Sequence, residues 1–337
     1  MVETLYVVIT NKCQLDCKFC FNKFVNNFKL CDDKPIETDK AVTVIKALEP
    51  KAINFIGGEP LLYPQRLIDI MNPFKEEDLD KHKRVWTIST NLYYKDLDEL
   101  RLKALKQIQE QSSDKVTIGS SYSYDRFFGK NEYYQIFKKN MLKFDEEGIR
   151  CGITVTMTRE QIENVSIDNL LDILASVKAK CINLERCIYP IPKTEREYNE
   201  LIELYYKQDL YMKEFFEKVP ENMNYQYNRF KEAVYYRTPL FNNTCSKTVF
   251  CLYDHGLYPG CTSFELSDNS KRKEISESRL NDKLFELNCR MCEYFPYCKG
   301  DCECNRSIIC TFPKQTFQYM KNKIIKERNN NSDQIIK

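Results

Sequence analysis

Histidine is scarce in this chain: His82 and His255 are the two in 337 residues. Far apart in sequence, they supply little for mixed cysteine–histidine zinc sites or for imidazole acid–base chemistry. An excess of one charge is missing too. Lys and Arg number 51 against 49 Asp and Glu, a formal net charge of +2, so nothing points to nucleic acid or an acidic membrane surface as partner. No apolar run is long enough to cross a bilayer, and no basic-plus-apolar export signal opens the chain. A cytosolic location is expected. Sixteen cysteines are then not disulfides, because that compartment keeps thiols reduced. Metal or cluster ligation explains them better.

The length suits one large domain plus a small one, or two domains. From residue 1 to about 190 strand and helix patterns alternate. Leu5 to Thr10 reads as a buried strand. Thr38 to Leu48 has helical spacing and stops at Pro50. The apolar runs Ala52 to Ile56, Val85 to Ile88, Val116 to Ile118, Ile153 to Met157 and Cys181 to Leu184 read as further strands, with helices over Leu67 to Met71, Leu97 to Ile108, Tyr133 to Phe144 and Ile167 to Val177. Six β-α repeats imply parallel strands with helical crossovers. In a barrel of this kind the chemistry sits at the C-terminal strand ends. Those ends read Gly57-Gly58-Glu59-Pro60, Ser89-Thr90-Asn91, Gly119-Ser120-Ser121-Tyr122 and Glu185-Arg186. Glu195 to about Val219 is helical, with an aromatic stripe read as core-facing; the aromatic run Tyr225 to Tyr236 has no clear period. Phe317 to Lys326 reads as a closing helix, and 327–337 as a disordered tail.

Cys13, Cys17 and Cys20 follow the first strand in the spacing Cys-x3-Cys-x2-Cys. One short loop can turn three thiolates toward a point but offers no fourth. Structural zinc wants four closed ligands, whereas a three-cysteine iron–sulfur cluster leaves one iron open. A partial zinc site or three core cysteines are the plainer alternatives. The spacing and its place after a first strand resemble the radical SAM superfamily. That resemblance implies a [4Fe-4S] cluster whose open iron binds S-adenosylmethionine, and a 5′-deoxyadenosyl radical on reduction. Gly57-Gly58-Glu59-Pro60, one β-α unit later, resembles that family's second signature, which holds the methionine amino group. Its glycines let backbone approach a ligand closely, and a carbonyl or the Glu59 carboxylate can accept from an ammonium. Ser89, Thr90 and Asn91 match the family's contact to ribose or carboxylate. Ser121 and Arg159 are further candidates for cofactor binding.

Nine cysteines lie between Cys245 and Cys310, in a segment with too few apolar residues for a core of its own, so metal is needed to fold it. Cys289-x2-Cys292-x5-Cys298-x3-Cys302 resembles the SPASM domain of radical SAM enzymes. Cys245-x5-Cys251 and Gly256-x4-Cys261 resemble its first half, with Asp254-His255-Gly256 read as a hairpin turn. The resemblance implies two auxiliary [4Fe-4S] clusters, three clusters in all. One would be held by Cys245, Cys251, Cys261 and Cys302. The other would take Cys289, Cys292, Cys298 and a last cysteine, Cys310 in preference to Cys304. Zinc ribbons are the alternative. Cys31, Cys151, Cys181 and Cys187 stay unassigned; Cys151 and Cys181 read as core, and Cys187 as a residue able to face the substrate.

The fold class expected is α/β: a partial (β/α)6 TIM-type barrel followed by a small cysteine-rich SPASM domain. The expected boundaries are 1–236 for the barrel with its helical connection, 237–315 for the auxiliary-cluster domain and 316–337 for the closing helix and tail. The resemblance implies hydrogen abstraction from a substrate, above all a ribosomally made peptide, giving a thioether, carbon–carbon or related modification. Flavodoxin or ferredoxin is the implied electron donor. A leader peptide is expected to be held by the barrel, by the Glu195–Tyr236 segment or by a separate leader-binding protein. Anaerobic sulfatase maturases share the two-cluster arrangement but carry an aspartate where this chain has Thr262, a departure that puts formylglycine formation in doubt. Glu185 at the sixth strand tip is the candidate base; a salt bridge is its alternative role. Oxidation of a small alcohol or sugar is the second reading, and a redox-inert zinc adaptor a third.

Overall fold

The computed structural model describes residues 2–20, 22, 30–81, 83–112, 116–128, 130–187, 194–223, 225–238, 240, 248–259, 289–298, 310 and 312–335. Strands β1 (Thr4–Val8), β2 (Ala52–Ile56), β3 (Val85–Thr90), β4 (Ile118–Tyr122), β5 (Cys151–Met157) and β6 (Cys181–Arg186) form one parallel sheet in sequence order. The crossovers carry helices α1 (Thr38–Leu48), α2 (Pro64–Met71), α3 (Lys75–Lys81), α4 (Glu99–Gln111), α5 (Tyr124–Phe127), α6 (Asn131–Glu146), α7 (Arg159–Asn164) and α8 (Ile167–Ser176). All six expected strands are present.

Strands alternate side chains between two faces, and here the faces differ in chemistry. Leu5, Val7, Ile53, Phe55, Trp86, Ile88, Ile153, Val155 and Leu184 are buried in the main core with the helices. The opposite face carries half-buried or exposed residues, among them Asn54, Thr87, Ser89, Ser121, Thr154, Thr156, Asn183 and Glu185. This polar face explains why three strands outrun their apolar runs. Ser89-Thr90 ends β3 and Glu185-Arg186 ends β6, while β4 starts at Ile118, the last residue of the expected Val116 to Ile118 strand, and runs through Gly119-Ser120-Ser121-Tyr122. Those residues were expected as loop tips, because a cleft-facing polar residue inside a strand reads as the strand's end.

Near the start of β3, away from the cleft mouth, Trp86 is fully buried between Phe55 and Phe74, with ring centroids 5.5 and 5.8 Å away. Its indole N–H donates to Asp78 at 2.6 Å, and Asp78 also pairs with buried Arg84 at 2.8 Å. A buried ion pair is tolerated when its remaining polar atoms find partners, and the indole is one. Gly148 sits at φ +69° beyond α6, with Ile149 N donating to Phe144 O and Gly148 N to Asp145 O. That is the left-handed helix stop expected at this glycine.

After β6 come α9 (Glu195–Lys218), started by a capping box between Thr194 and Glu197, and α10 (Tyr225–Tyr236), which gives the Tyr225–Tyr236 run its place. Tyr205, Tyr211, Phe215 and Phe216 are buried, as a core-facing stripe requires. Next, β7 (Val249–Tyr253) pairs parallel with β1, and β8 (Gly256–Pro259) turns back on β7. The hairpin read as the start of the cysteine-rich segment is thus hydrogen-bonded into the barrel sheet. Short helix α11 (Phe295–Cys298) precedes α12 (Lys314–Ile335). Asp209 of α9 caps α12 by accepting from Gln315 N at 2.9 Å and Thr316 N at 3.0 Å. The closing helix is longer than expected and takes in most of the 327–337 stretch. Tyr227 holds that part by donating to Glu327 at 2.6 Å.

Candidate active site

The C-terminal ends of β1, β2 and β3 meet around one buried carboxylate. Glu59 is fully buried. One oxygen accepts from Leu61 N at 3.0 Å and Thr90 Oγ1 at 2.8 Å; the other accepts from Asn91 N at 2.7 Å. Burial raises its pKa, and these donors oppose the rise. The carboxylate is therefore occupied by the protein. It bolts the second strand tip to the third.

The glycines have a related task. A Cβ on Gly58 would lie 2.3 Å from Lys12 O and 2.4 Å from Asn11 O, and one on Gly57 (φ +153°) 2.3 Å from Thr10 O. Gly58 N donates to Thr10 O at 2.8 Å and Glu59 N to Lys12 O at 2.9 Å. The close approach these glycines allow is to the backbone entering the cysteine loop. Asn22, on the far side of that loop, donates to Gly57 O at 2.8 Å. Pro60 opens a short 3-10 turn, where its missing N–H costs nothing.

Cys13, Cys17 and Cys20 are at least partly open to solvent. Enough protein surrounds Cys13 that burial, then the charges of Glu59, Cys17 and Cys20, push its thiol up to about 11. As ligands, three thiolates would set like charges beside a carboxylate, so the set calls for a cationic centre. Their sulfurs are not among the described groups that converge within 4.8 Å, the spacing for a single ion. A cubane cluster puts each thiolate on a separate iron and needs no such convergence. The donor set fits a cluster better than a lone zinc.

Asn91 connects the third strand to this loop. Its Nδ2 donates to Cys13 Sγ at 3.4 Å, and its Oδ1 accepts from Gln14 Nε2 at 3.3 Å. Gln14 Nε2 also reaches Tyr93 O at 2.9 Å. Thr90 points to Glu59, so Ser89 is the member of its triplet that faces the cleft. Ser121 also faces the cleft but accepts from Arg126 Nη1 at 2.8 Å. The Arg126 guanidinium lies 5.8 Å from the centre of the Phe19 ring, inside the cysteine loop. Gln14, Asn22 and Arg126 were not singled out from sequence. Loop polar residues without a motif give no signal until the fold places them.

Arg159 begins α7 and stands 3.9 Å from Glu163 on the surface. Glu185 is exposed on the cleft face of β6, opposite Thr156 of β5. Cys187 is buried, as is Cys151, while Cys181 is partly open. Of the expected auxiliary ligands, Cys251 is buried on β7, Cys289, Cys292 and Cys298 are close in chain, and Cys310 is exposed. Cys245, Cys261, Cys302, the rival Cys304 and Thr262 lie outside the described residues. No described helix is long and apolar enough to cross a membrane.

Comparison with known proteins agrees with this geometry. Residues 7–171 match the model of the Radical SAM superfamily. The chain is 20% identical over 364 residues to the cysteine-type anaerobic sulfatase-maturating enzyme of Clostridium perfringens (strain 13 / Type A), covering 94% of this chain and 96% of that one. It superposes on native anSMEcpe with bound AdoMet and Cp18Cys peptide with TM-score 0.67, 17% identity and coverage of 98% and 99%. Streptococcus suis SuiB bound to S-adenosylmethionine matches with TM-score 0.50 at 17% identity, over 90% of this chain and 71% of that one. Because the cysteine loop, Glu59 and Asn91 all fall inside residues 7–171, that stretch is a radical SAM domain, and the protein is an enzyme that works with S-adenosylmethionine and iron–sulfur clusters.

Proposed function

We propose that this enzyme modifies a peptide, with the cleft-facing side of β3 to β6 as the substrate floor. The observation that carries the reading is the continuous polar face running from Ser89 beside the cysteine loop to Glu185 on β6. It suits an extended chain with many backbone groups to satisfy. The peptide-bound relatives of the same fold support it.

When bound, S-adenosylmethionine and the reduced cluster supply a 5′-deoxyadenosyl radical that removes hydrogen from a substrate carbon. Cys13, Cys17 and Cys20 hold the cluster. Gly57, Gly58 and Pro60 shape the wall beside it, and Glu59 keeps that wall in register with Thr90 and Asn91. Asn91 and Gln14 orient the Cys13 sulfur. Ser89, Ser121 and Arg159 are the further cofactor or substrate contacts. Glu185 accepts the proton the substrate loses; its cleft-facing place supports this role. Cys245, Cys251, Cys261, Cys289, Cys292, Cys298, Cys302 and Cys310 hold two auxiliary [4Fe-4S] clusters, in a 237–315 domain between the 1–236 barrel and the 316–337 closing segment. A cytosolic flavodoxin or ferredoxin donates the electron, and a leader peptide is held by the barrel, by the Glu195–Tyr236 segment or by a separate protein. Thr262 weighs against formylglycine as product.

The test is anaerobic incubation of reconstituted enzyme with peptides encoded beside its gene, with a cysteine-containing sulfatase peptide and with small alcohols or sugars. Expected is 5′-deoxyadenosine formation stimulated by a neighbouring peptide, which itself loses hydrogen. Stimulation by the alcohol or sugar alone overturns the reading, and conversion of the sulfatase peptide replaces it with the maturase reading.

A further inference from the structure

A second group of metal-ligand atoms lies apart from the cysteine loop. Cys31, Asp254 and His255 each present one ligand atom, and these atoms lie within 4.8 Å of one another. His255 Nδ1 is 2.9 Å from Asp254 Oδ1 and 4.0 Å from Cys31 Sγ. Zinc bonds of about 2.0 Å to nitrogen or oxygen and about 2.3 Å to sulfur put tetrahedral neighbours roughly 3.3 to 3.5 Å apart. The observed separations bracket that span, so small side-chain shifts would close the site.

The group is also held in place as metal ligands are. Asp254 Oδ2 accepts from Asp32 N at 2.8 Å, which orients the carboxylate. Lys40 Nζ donates to the Asp254 carbonyl and pins the turn. The His255 ring stacks on Tyr253 at 5.3 Å and lies against Tyr258 at 5.5 Å. Gly256 makes room for that second ring, since a Cβ there would meet it at 2.9 Å. Cys31 is buried in a small apolar cluster with Val8, Cys251 and Tyr253. The His255 and Asp254 side chains remain 23% and 25% exposed, leaving an approach from solvent.

We propose that Cys31, Asp254 and His255 bind one zinc ion and leave its fourth position open. Thiolate, imidazole and carboxylate are zinc's usual donors, and three protein ligands with one vacancy mark reactive sites in place of closed structural ones. One thiolate and one carboxylate neutralise the dication without a buried charge left over. The turn follows β7, which runs parallel to β1, so the three ligands lie at the same end of the sheet as the cysteine loop. A water or a substrate thiolate is the ligand the open position would take. The inference stands on geometry that does not depend on the peptide reading.

The experiment uses anaerobically reconstituted, full-length enzyme given zinc and then desalted. Metal analysis should find about one zinc per chain beside undiminished iron. Zinc-edge X-ray absorption should show one sulfur and two or three nitrogen or oxygen neighbours. Cys31→Ala and His255→Gln should each lower zinc at least tenfold and leave iron unchanged. His255 lies in a partly exposed turn, so His255→Gln decides the matter even where Cys31→Ala folds poorly. Zinc absent from wild type, zinc retained in His255→Gln, or a sulfur-only shell overturns the proposal. Loss of iron in Cys31→Ala without loss of zinc also overturns it, and assigns Cys31 to a cluster near Cys251.

Discussion

Asn91 donates its backbone N–H to Glu59 Oε2 at 2.7 Å while its side chain donates to Cys13 Sγ at 3.4 Å. One residue thus joins the third strand both to the bolt on the second and to the loop after the first. Replacing the acceptor tests this link. In Glu59→Gln an amide NH2 faces one of the donors Leu61 N, Thr90 Oγ1 or Asn91 N, and a buried unpaired donor costs about 1 to 3 kcal/mol. Thermal unfolding should move to lower temperature, and S-adenosylmethionine affinity, read by calorimetry, should fall at least tenfold. Unchanged affinity with normal stability would show that the cofactor does not depend on this bolt.

Gly58→Ala is the backbone counterpart. Its Cβ falls 2.3 Å from a carbonyl oxygen that cannot swing away, so the loop and the strand tip must separate. The variant should fold yet load about one cluster fewer, measured as iron per chain. Full iron loading with wild-type cleavage of S-adenosylmethionine would contradict the close docking described here.

The triple variant Cys13→Ala, Cys17→Ala, Cys20→Ala should keep its auxiliary clusters and make no 5′-deoxyadenosine with dithionite. Anaerobic chromatographic assay of the nucleoside checks it. Cleavage at the wild-type rate removes these cysteines from the radical site.

Cluster number is a separate matter. Eleven of the sixteen cysteines are assigned to three clusters, so reconstituted enzyme should approach three [4Fe-4S] units by iron and sulfide analysis. A plateau at one cluster, with about two zinc ions per chain bound by sulfur alone, means that the C-terminal segment is a zinc ribbon.

Glu185→Gln keeps the size of the side chain and removes its basicity. A general base contributes roughly 10²- to 10⁴-fold, so product formation on the true peptide should fall by that order while uncoupled 5′-deoxyadenosine formation continues. Equal product rates leave Glu185 as a surface residue.

The α/β architecture and the place of the three-cysteine loop were legible because they rest on local signals. Apolar runs bounded by helical spacing name strands and crossovers, and Cys13, Cys17 and Cys20 sit within one short loop where spacing alone limits geometry. The roles within the site were less legible. Glu59 and the glycines carry the expected motif, yet their contacts are to other parts of the protein itself, which no motif records. Ser89-Thr90 and Glu185-Arg186 looked like loop tips because polar cleft-facing residues break the apolar pattern of a strand.

What the sequence by itself determined is the periodic part: which stretches are strands or helices, and that a three-thiol loop follows the first strand. These follow from side-chain alternation and covalent spacing, which act over a few residues. Only the tertiary structure decided which distant residues meet. Cys31 and His255 are more than two hundred residues apart, and two histidines in the whole chain gave no reason to pair either with a cysteine. They meet because β7 hydrogen-bonds to β1, carrying the Asp254–His255 turn back to the segment that follows the first strand. That pairing is a choice among sheet edges, made by backbone hydrogen bonds and burial over the whole domain, and no local pattern encodes it.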